Sequence, residues 1–114
     1  MSYDISLVDP VLGSPVEVIP HEEGGTYALG GSNQAELNVT YNYSICYSLV
    51  GFSLKAIDGL TGDKAALLLG EAVSRLGITQ YEDYWAPTPG NAGYAAGILL
   101  SWANQHPRAI FEVT

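Results

Sequence analysis

The sequence predicts a single α+β domain, residues 1–114, in which a small and mainly antiparallel sheet is covered on one face by about three helices. Residues 35–44 alternate apolar and polar side chains, which is typical of a half-buried strand. Two later apolar segments have helical spacing and helix-end signals. With 114 residues, 47% of them apolar, the chain can build one core without a metal or a disulfide.

The N-terminal segments predict a β-hairpin. Residues 3–8 alternate in polarity, and residues 16–19 are apolar and β-branched, so both are predicted as strands. Pro10 and Gly13 suit the turn between them. Residues 20–33 contain two glycine pairs and are predicted as a loop, and no Gly-Lys-Ser/Thr ending indicates a phosphate loop.

The predicted strand at residues 35–44 has an apolar and a polar side, because alternate residues of a strand face opposite ways. The core-facing positions are Ala35, Leu37, Val39, Tyr41 and Tyr43. The polar positions are Glu36, Asn38, Thr40, Asn42 and Ser44. The polar side is open to three interpretations: a solvated surface, a pocket wall or a partner surface. A final short strand is predicted at residues 110–113.

Two helices are predicted between these strands. The first spans residues 45–57 with a break near Gly51. The second begins at Thr61 or Asp63, either of which can cap it, and ends before Gly77, a suitable C′ residue. Its apolar stripe is Ala66, Leu69, Val73 and Leu76.

The third helix has the clearest end signals. Thr88 suits its N-cap and Pro89 its first position, and it runs to about Gln105. It is apolar on nearly every side, so we expect it to be the most buried helix. Gly93 and Gly97 lie one turn apart and would permit another backbone to approach closely.

The charge balance favours some partners and excludes others. Four basic and twelve acidic residues give a net charge of −8, and residues 1–60 hold seven acidic groups and one basic group. This balance argues against direct binding of nucleic acid or an anionic membrane, since both require basic side chains. It is compatible with simple solubility or with binding to a basic protein surface, including one that normally holds nucleic acid.

Catalytic and metal chemistry is not indicated. Cys46 is the single cysteine, so no intrachain disulfide is expected and a reducing compartment is the natural setting. With His21 and His106 it gives no zinc-ligand spacing, and a buried inert thiol is the expected state. The paired acids at residues 22–23 and 82–83 point apart in regular structure, so adjacency alone predicts no acid–base pair.

Several segments together resemble a known group. In order and spacing, they resemble small uncharacterised proteins of bacteriophages and prophage-bearing bacteria: residues 24–31, 38–44, 59–62, 83–85 and 88–92. The resemblance covers roughly residues 3–106. Those proteins carry more basic residues where this chain has residues 45–48, and a basic residue near Gly93, so a site using those charges is not expected here. The resemblance implies a phage-encoded protein acting in the cytoplasm of a host bacterium, and it implies no activity.

One candidate ligand site is predicted at the start of the third helix. Its N–H groups and dipole attract anions, and aromatic residues precede it, so a nucleotide-like ligand is one interpretation and ordinary capping with core aromatics is the other. The candidate ligand-binding residues are Asn38, Asn42, Tyr84, Trp85, Thr88, Gly90 and Asn91. We predict that Asn42, Trp85 and Asn91 meet in space.

These observations favour a non-enzymatic phage accessory protein that binds a host protein with a basic surface, such as an inhibitor of a nucleic-acid-handling or defence protein. The alternatives are a small-molecule (nucleotide-like) binder and a virion or assembly component. No catalytic residue, metal or cofactor is predicted, and neither is direct binding of nucleic acid or membrane. The sequence does not predict an oligomeric state.

Overall fold

The computed structural model describes residues 2–20, the backbone of residues 26–28, and residues 33–114. Four strands form one antiparallel sheet in the order β2-β3-β1-β4. The strands are β1 (Ser2–Val8), β2 (Thr26–Ala28), β3 (Glu36–Thr40) and β4 (Ile110–Val113). The helices are α1 (Ser44–Leu49), α2 (Gly62–Leu76) and α3 (Pro89–Gln105), with single 3₁₀ turns at Tyr41–Tyr43 and Leu54–Ile57.

The sheet has one face buried against the helices and one face, the open face, that the described helices leave uncovered. In the strand register, Ile5 of β1 lies opposite Leu37 of β3 and Val113 of β4, and all three side chains are buried. They share one core with buried residues of α1, α2 and α3, so the helices cover this face alone. The predicted α+β architecture, with three helices on one face of a small antiparallel sheet, is therefore confirmed.

The predicted N-terminal hairpin is wrong. Residues 16–19 form no strand, and their segment makes only isolated bridges, from Val8 to Pro15 and from Glu17 to Gln34. The chain does turn back after β1, and the N–H of Val16 donates to the Leu7 carbonyl at 2.9 Å. From Ser6 to Ser2, however, that edge of β1 is occupied by β3, and the other edge pairs with β4, so the returning segment cannot continue as a strand. The glycine turns predicted within residues 20–33 lie outside the described residues.

The strand predicted at residues 35–44 ends earlier, at Thr40. The phase was correct, because Leu37 and Val39 are both fully buried. The Thr40 hydroxyl accepts the N–H of Asn42 at 3.2 Å, which caps a 3₁₀ turn and redirects the chain. Asn42 therefore leaves the polar face of the strand, and Tyr43 becomes buried under the helices.

The helix ends follow the sequence signals closely. The predicted first helix divides at Gly51, which has φ +72°, into α1 and a 3₁₀ turn. Gly77, at φ +75°, ends α2, and Thr88 and Pro89 begin α3 as predicted. The α3 helix is the most buried of the three. None of the helices in the described part of the chain combines the length and apolar character needed to cross a membrane.

Glycines allow α3 to pack directly against backbone. A Cβ on Gly93 would lie 1.7 Å from the carbonyl oxygen of Gly77, and one on Gly90 would lie 1.7 Å from that of Thr79. A Cβ on Gly97 would meet only the Ile78 side chain, at 3.8 Å. The predicted close approach is therefore real at Gly93 and absent at Gly97, and it fixes the segment that follows α2 against the start of α3.

This packing predicts opposite effects of two alanine substitutions. Gly93→Ala should lower the free energy of unfolding by about 3 kcal/mol or more, because the methyl group overlaps a main-chain oxygen. Gly97→Ala should raise it by up to about 1 kcal/mol, because alanine favours helix over glycine. Urea unfolding of both variants checks this, and equal destabilisation by the two would contradict the packing described.

Candidate functional site

The three segments predicted to meet do so at the start of α3. The side-chain amide of Asn42 donates to the carbonyl oxygen of Trp85 at 2.9 Å. The amide of Asn91 donates to the carbonyl oxygens of Asp83 at 3.1 Å and of Ala86 at 3.0 Å. The predicted meeting of Asn42, Trp85 and Asn91 is confirmed, although Asn42 reaches it from a 3₁₀ turn rather than from a strand.

Asn91 holds the connection between α2 and α3 in place. Its side chain is 1% exposed, and its Oδ1 accepts the N–H of Tyr81 at 2.8 Å. This bond and the two bonds that the Asn91 amide donates hold both ends of residues 81–86, which we call the 81–86 loop. A buried amide with three hydrogen bonds has satisfied its donors and an acceptor within the fold, so it serves first as a structural anchor.

Two buried tyrosines of the 3₁₀ turn after β3 and of α1 also hold the 81–86 loop and the start of α3. The hydroxyl of Tyr43 donates to the carbonyl oxygen of Tyr84, and the hydroxyl of Tyr47 donates to that of Ala92 at 2.8 Å. Burial, and then the charge of Asp83, raises the pKa of Tyr43 to about 12. Burial also raises the pKa of Tyr47. These phenols therefore stay protonated donors at neutral pH.

The single cysteine belongs to this support. The Cys46 thiol is buried and lies 3.3 Å from the carbonyl oxygen of Pro87. Burial raises the pKa of this thiol, which disfavours the reactive thiolate. In the described residues, no group of three or more His, Cys, Asp and Glu side chains is placed to hold a metal ion.

The start of α3 has few main-chain donors left for an anion. The Thr88 hydroxyl accepts the N–H of Asn91 at 3.2 Å, and the Thr88 carbonyl accepts that of Ala92 at 3.1 Å. Pro89 has no N–H, and Gly90 packs against Thr79. Three surface grooves of about 260 to 400 Å³ lie elsewhere, and none is lined by a predicted site residue. The geometry favours the capping interpretation of Thr88, Gly90 and Asn91.

Asn38 is the one predicted site residue that lies apart from the junction. It is on β3, and its amide donates to the Ser2 hydroxyl at 2.7 Å and to Asp4 Oδ1 at 2.8 Å. These contacts place Asn38 on the open face of the sheet, between polar groups of β1.

The open face carries acidic residues that the sequence did not single out. Ser6 of β1 lies opposite Glu36 of β3 on one side and Glu112 of β4 on the other. Asp4, two residues along β1, projects from the same face. We call this surface the acidic face, and its residues are Asp4, Ser6, Glu36, Asn38 and Glu112. None of the four strands contains a Lys or Arg.

The outer edge of β4 is already paired within the chain. Phe111 exchanges main-chain hydrogen bonds with Gly59 at 2.8 Å and with Leu60 at 2.9 Å. Asp58 accepts the N–H of Val113 at 2.9 Å, and the Lys55 ammonium donates to the Val113 carbonyl at 3.0 Å. This edge is therefore closed to strand addition by another molecule.

Comparisons with family models, with curated proteins and with solved structures give no match to this chain. The likeness to small phage proteins therefore remains an expectation from sequence.

Two asparagine substitutions test the anchoring role. Asn91→Ala should lower the free energy of unfolding by about 3 kcal/mol, since it removes three hydrogen bonds worth about 1 kcal/mol each. Asn42→Ala removes one exposed bond and should cost less than about 1 kcal/mol. Urea unfolding with amide hydrogen exchange at Tyr81 measures both. Unchanged protection of that amide in Asn91→Ala would contradict the anchor.

The raised pKa of Tyr43 predicts an alkaline loss of stability. Unfolded chains ionise tyrosine near pH 10, so the stabilisation linked to this proton is complete below that pH and is lost as pH rises towards about 12. Tyr43→Phe should lose less stability than wild type over that interval. At neutral pH it should be weaker by about 1 kcal/mol, because the Tyr84 carbonyl loses a donor. Identical alkaline profiles would exclude Tyr43 as the source.

Proposed function

We propose that this chain is a non-enzymatic accessory protein that binds a basic surface on a bacterial host protein through its acidic face. The observation that carries the proposal is a sheet face left uncovered by the helices, with three carboxylates and no basic side chain on its strands. An uncovered face of one sign is complementary to a surface of the opposite sign.

The spacing of the carboxylates makes them act together. Neighbouring strands lie about 4.8 Å apart, and alternate residues of a strand about 6.8 Å apart. The backbone positions of Asp4, Glu36 and Glu112 therefore lie within about 10 Å of one another. The Debye length at 0.1 M salt is about 10 Å, so their potentials add instead of being screened separately.

The rest of the charge distribution supports the same face. All four basic residues lie outside the strands: Lys55, Lys64, Arg75 and Arg108. Lys55 donates to a main-chain oxygen at the β4 edge, and Arg75 pairs with Glu71 of its own helix at 2.9 Å. No ion pair between the described residues neutralises Asp4, Glu36 or Glu112, and the net charge of −8 would speed encounter with a basic partner.

The chemistry of the face suits a host protein that handles nucleic acid. Surfaces that bind nucleic acid present Lys and Arg to phosphates, and carboxylates meet the same side chains with comparable hydrogen bonds. A protein bearing such a face would compete with nucleic acid for the host protein. The likeness to small phage proteins supports a bacterial host and an action inside its cytoplasm.

The two alternative functions receive less support from the geometry. A nucleotide-like ligand needs open donors and a concavity, whereas the donors at the start of α3 are largely used within the chain. A virion or assembly component is favoured by an unpaired edge strand, and of the two edges of the sheet, that of β4 is covered by the 58–60 segment.

The direct test is a variant with a neutralised acidic face. Immobilised full-length chain should capture a host protein from bacterial lysate at about 50 mM salt and lose it at about 200 mM. The identified protein is then purified, and calorimetry should show at least tenfold weaker binding to the triple variant Asp4→Asn, Glu36→Gln, Glu112→Gln. Short duplex DNA should displace the wild-type chain from that partner.

A second variant controls for net charge. Asp63→Asn, Glu71→Gln and Ser74→Lys together change the net charge by the same three units, at exposed positions of α2 on the other side of the sheet. This control should bind within about threefold of wild type, because exposed charges far from an interface act only through the screened long-range field. If both triple variants lost affinity equally, net charge alone would explain the binding and the acidic face would have no specific role. If neither variant lost affinity, the proposal would be contradicted.

A further inference from the structure

Exposed aromatic residues project from a loop that is otherwise firmly anchored. Tyr81 is 62% exposed and Tyr84 is 45% exposed, although both lie in the 81–86 loop held by Asn91. The ring of Tyr84 lies 6.0 Å from that of Trp85, at an angle of 44°. Exposed aromatic rings on a fixed backbone lose little conformational freedom on binding, which is a property of strong contact residues in interfaces.

The loop lies beyond the end of the sheet at which β1 begins and β3 ends. Asn42 bonds to the Trp85 carbonyl, and it follows Thr40, which lies opposite Ser2 in the sheet. From Ser2 the polar surface continues through Asn38 to Asp4. The rings of Tyr41 and Tyr3 contact each other at this end of the sheet, with centroids 4.5 Å apart and planes tilted by 58°. Tyr3 lies on the helix-covered side of β1, so this pair is not part of the acidic face.

The loop also carries its own negative charge. Glu82 and Asp83 are both exposed, and Asp83 accepts the Trp85 N–H with one oxygen at 3.2 Å, which fixes its carboxylate. A partner group that fits must offer positive charge to these carboxylates and a flat face to the rings. The guanidinium of arginine does both, whereas the lysine ammonium is compact and strongly hydrated.

We propose that the 81–86 loop is a preformed arginine-binding element at the end of the acidic face. This inference rests on the proposed function, since it names the side chain of the basic partner that gives specificity. The acidic face provides general attraction to any basic surface. The rings of Tyr81 and Tyr84, beside Glu82 and Asp83, distinguish arginine from lysine.

The test compares two peptides on the full-length chain. Hexa-arginine and hexa-lysine carry the same charge, and their dissociation constants are measured by calorimetry at about 50 mM salt. Wild type should bind hexa-arginine more tightly, by about two- to fivefold for each ring that stacks on a guanidinium. The double variant Tyr81→Leu, Tyr84→Leu keeps apolar side chains but removes both rings, and it should bind the two peptides equally.

Two controls separate this inference from the proposed function. Leu67→Ala removes an even more exposed apolar side chain from α2 and should keep the arginine preference. The acidic-face triple variant should bind both peptides more weakly and keep their ratio. Equal affinity of wild type for the two peptides, or a preference that persists without the two rings, would overturn the arginine-binding element. Unchanged peptide affinity in the acidic-face variant would instead count against the proposed function.

Discussion

The contact between the backbone of α3 and the chain that leaves α2 determines the rest of the structure. At Gly90 and Gly93 no side chain separates the helix from the carbonyl oxygens of Thr79 and Gly77. Because that segment lies directly on α3, the following 81–86 loop must fold over the start of the helix. Asn91 then reaches three main-chain groups of the loop from within the first turn of α3. The close packing of α3 therefore also sets the position of the 81–86 loop.

The polar residues near the start of α3 are of types that suit either helix capping or ligand binding. Thr88 and Asn91 have the chemistry of an anion site, yet their hydrogen bonds close within the chain. Their role is to hold the loop in one conformation, and the surface it presents consists of Tyr81, Tyr84 and the adjacent carboxylates. Buried, satisfied groups hold the loop in place, and its exposed groups remain accessible to solvent.

Local signals in the sequence predicted the local features well. The ends of α3, the break at Gly51 and the buried phase of β3 depend on neighbouring residues, and all three were correct. The end of β3 was missed because Thr40 fits a strand and an N-cap equally. The false hairpin and the overlooked acidic face have one cause, since both depend on which distant strands pair. Only the pairing of β1 with β3 and β4 brings Glu36 and Glu112 to either side of Ser6.

The two proposals require that the acidic face and the 81–86 loop act together as one surface for a basic partner. The most direct measurement is a map of amide chemical shifts for the isotope-labelled full-length chain titrated with hexa-arginine. The largest shifts should fall in β1, β3 and β4 and in the 81–86 loop, and they should diminish as salt is raised. Shifts concentrated on α2, on the opposite side of the sheet, would contradict this account.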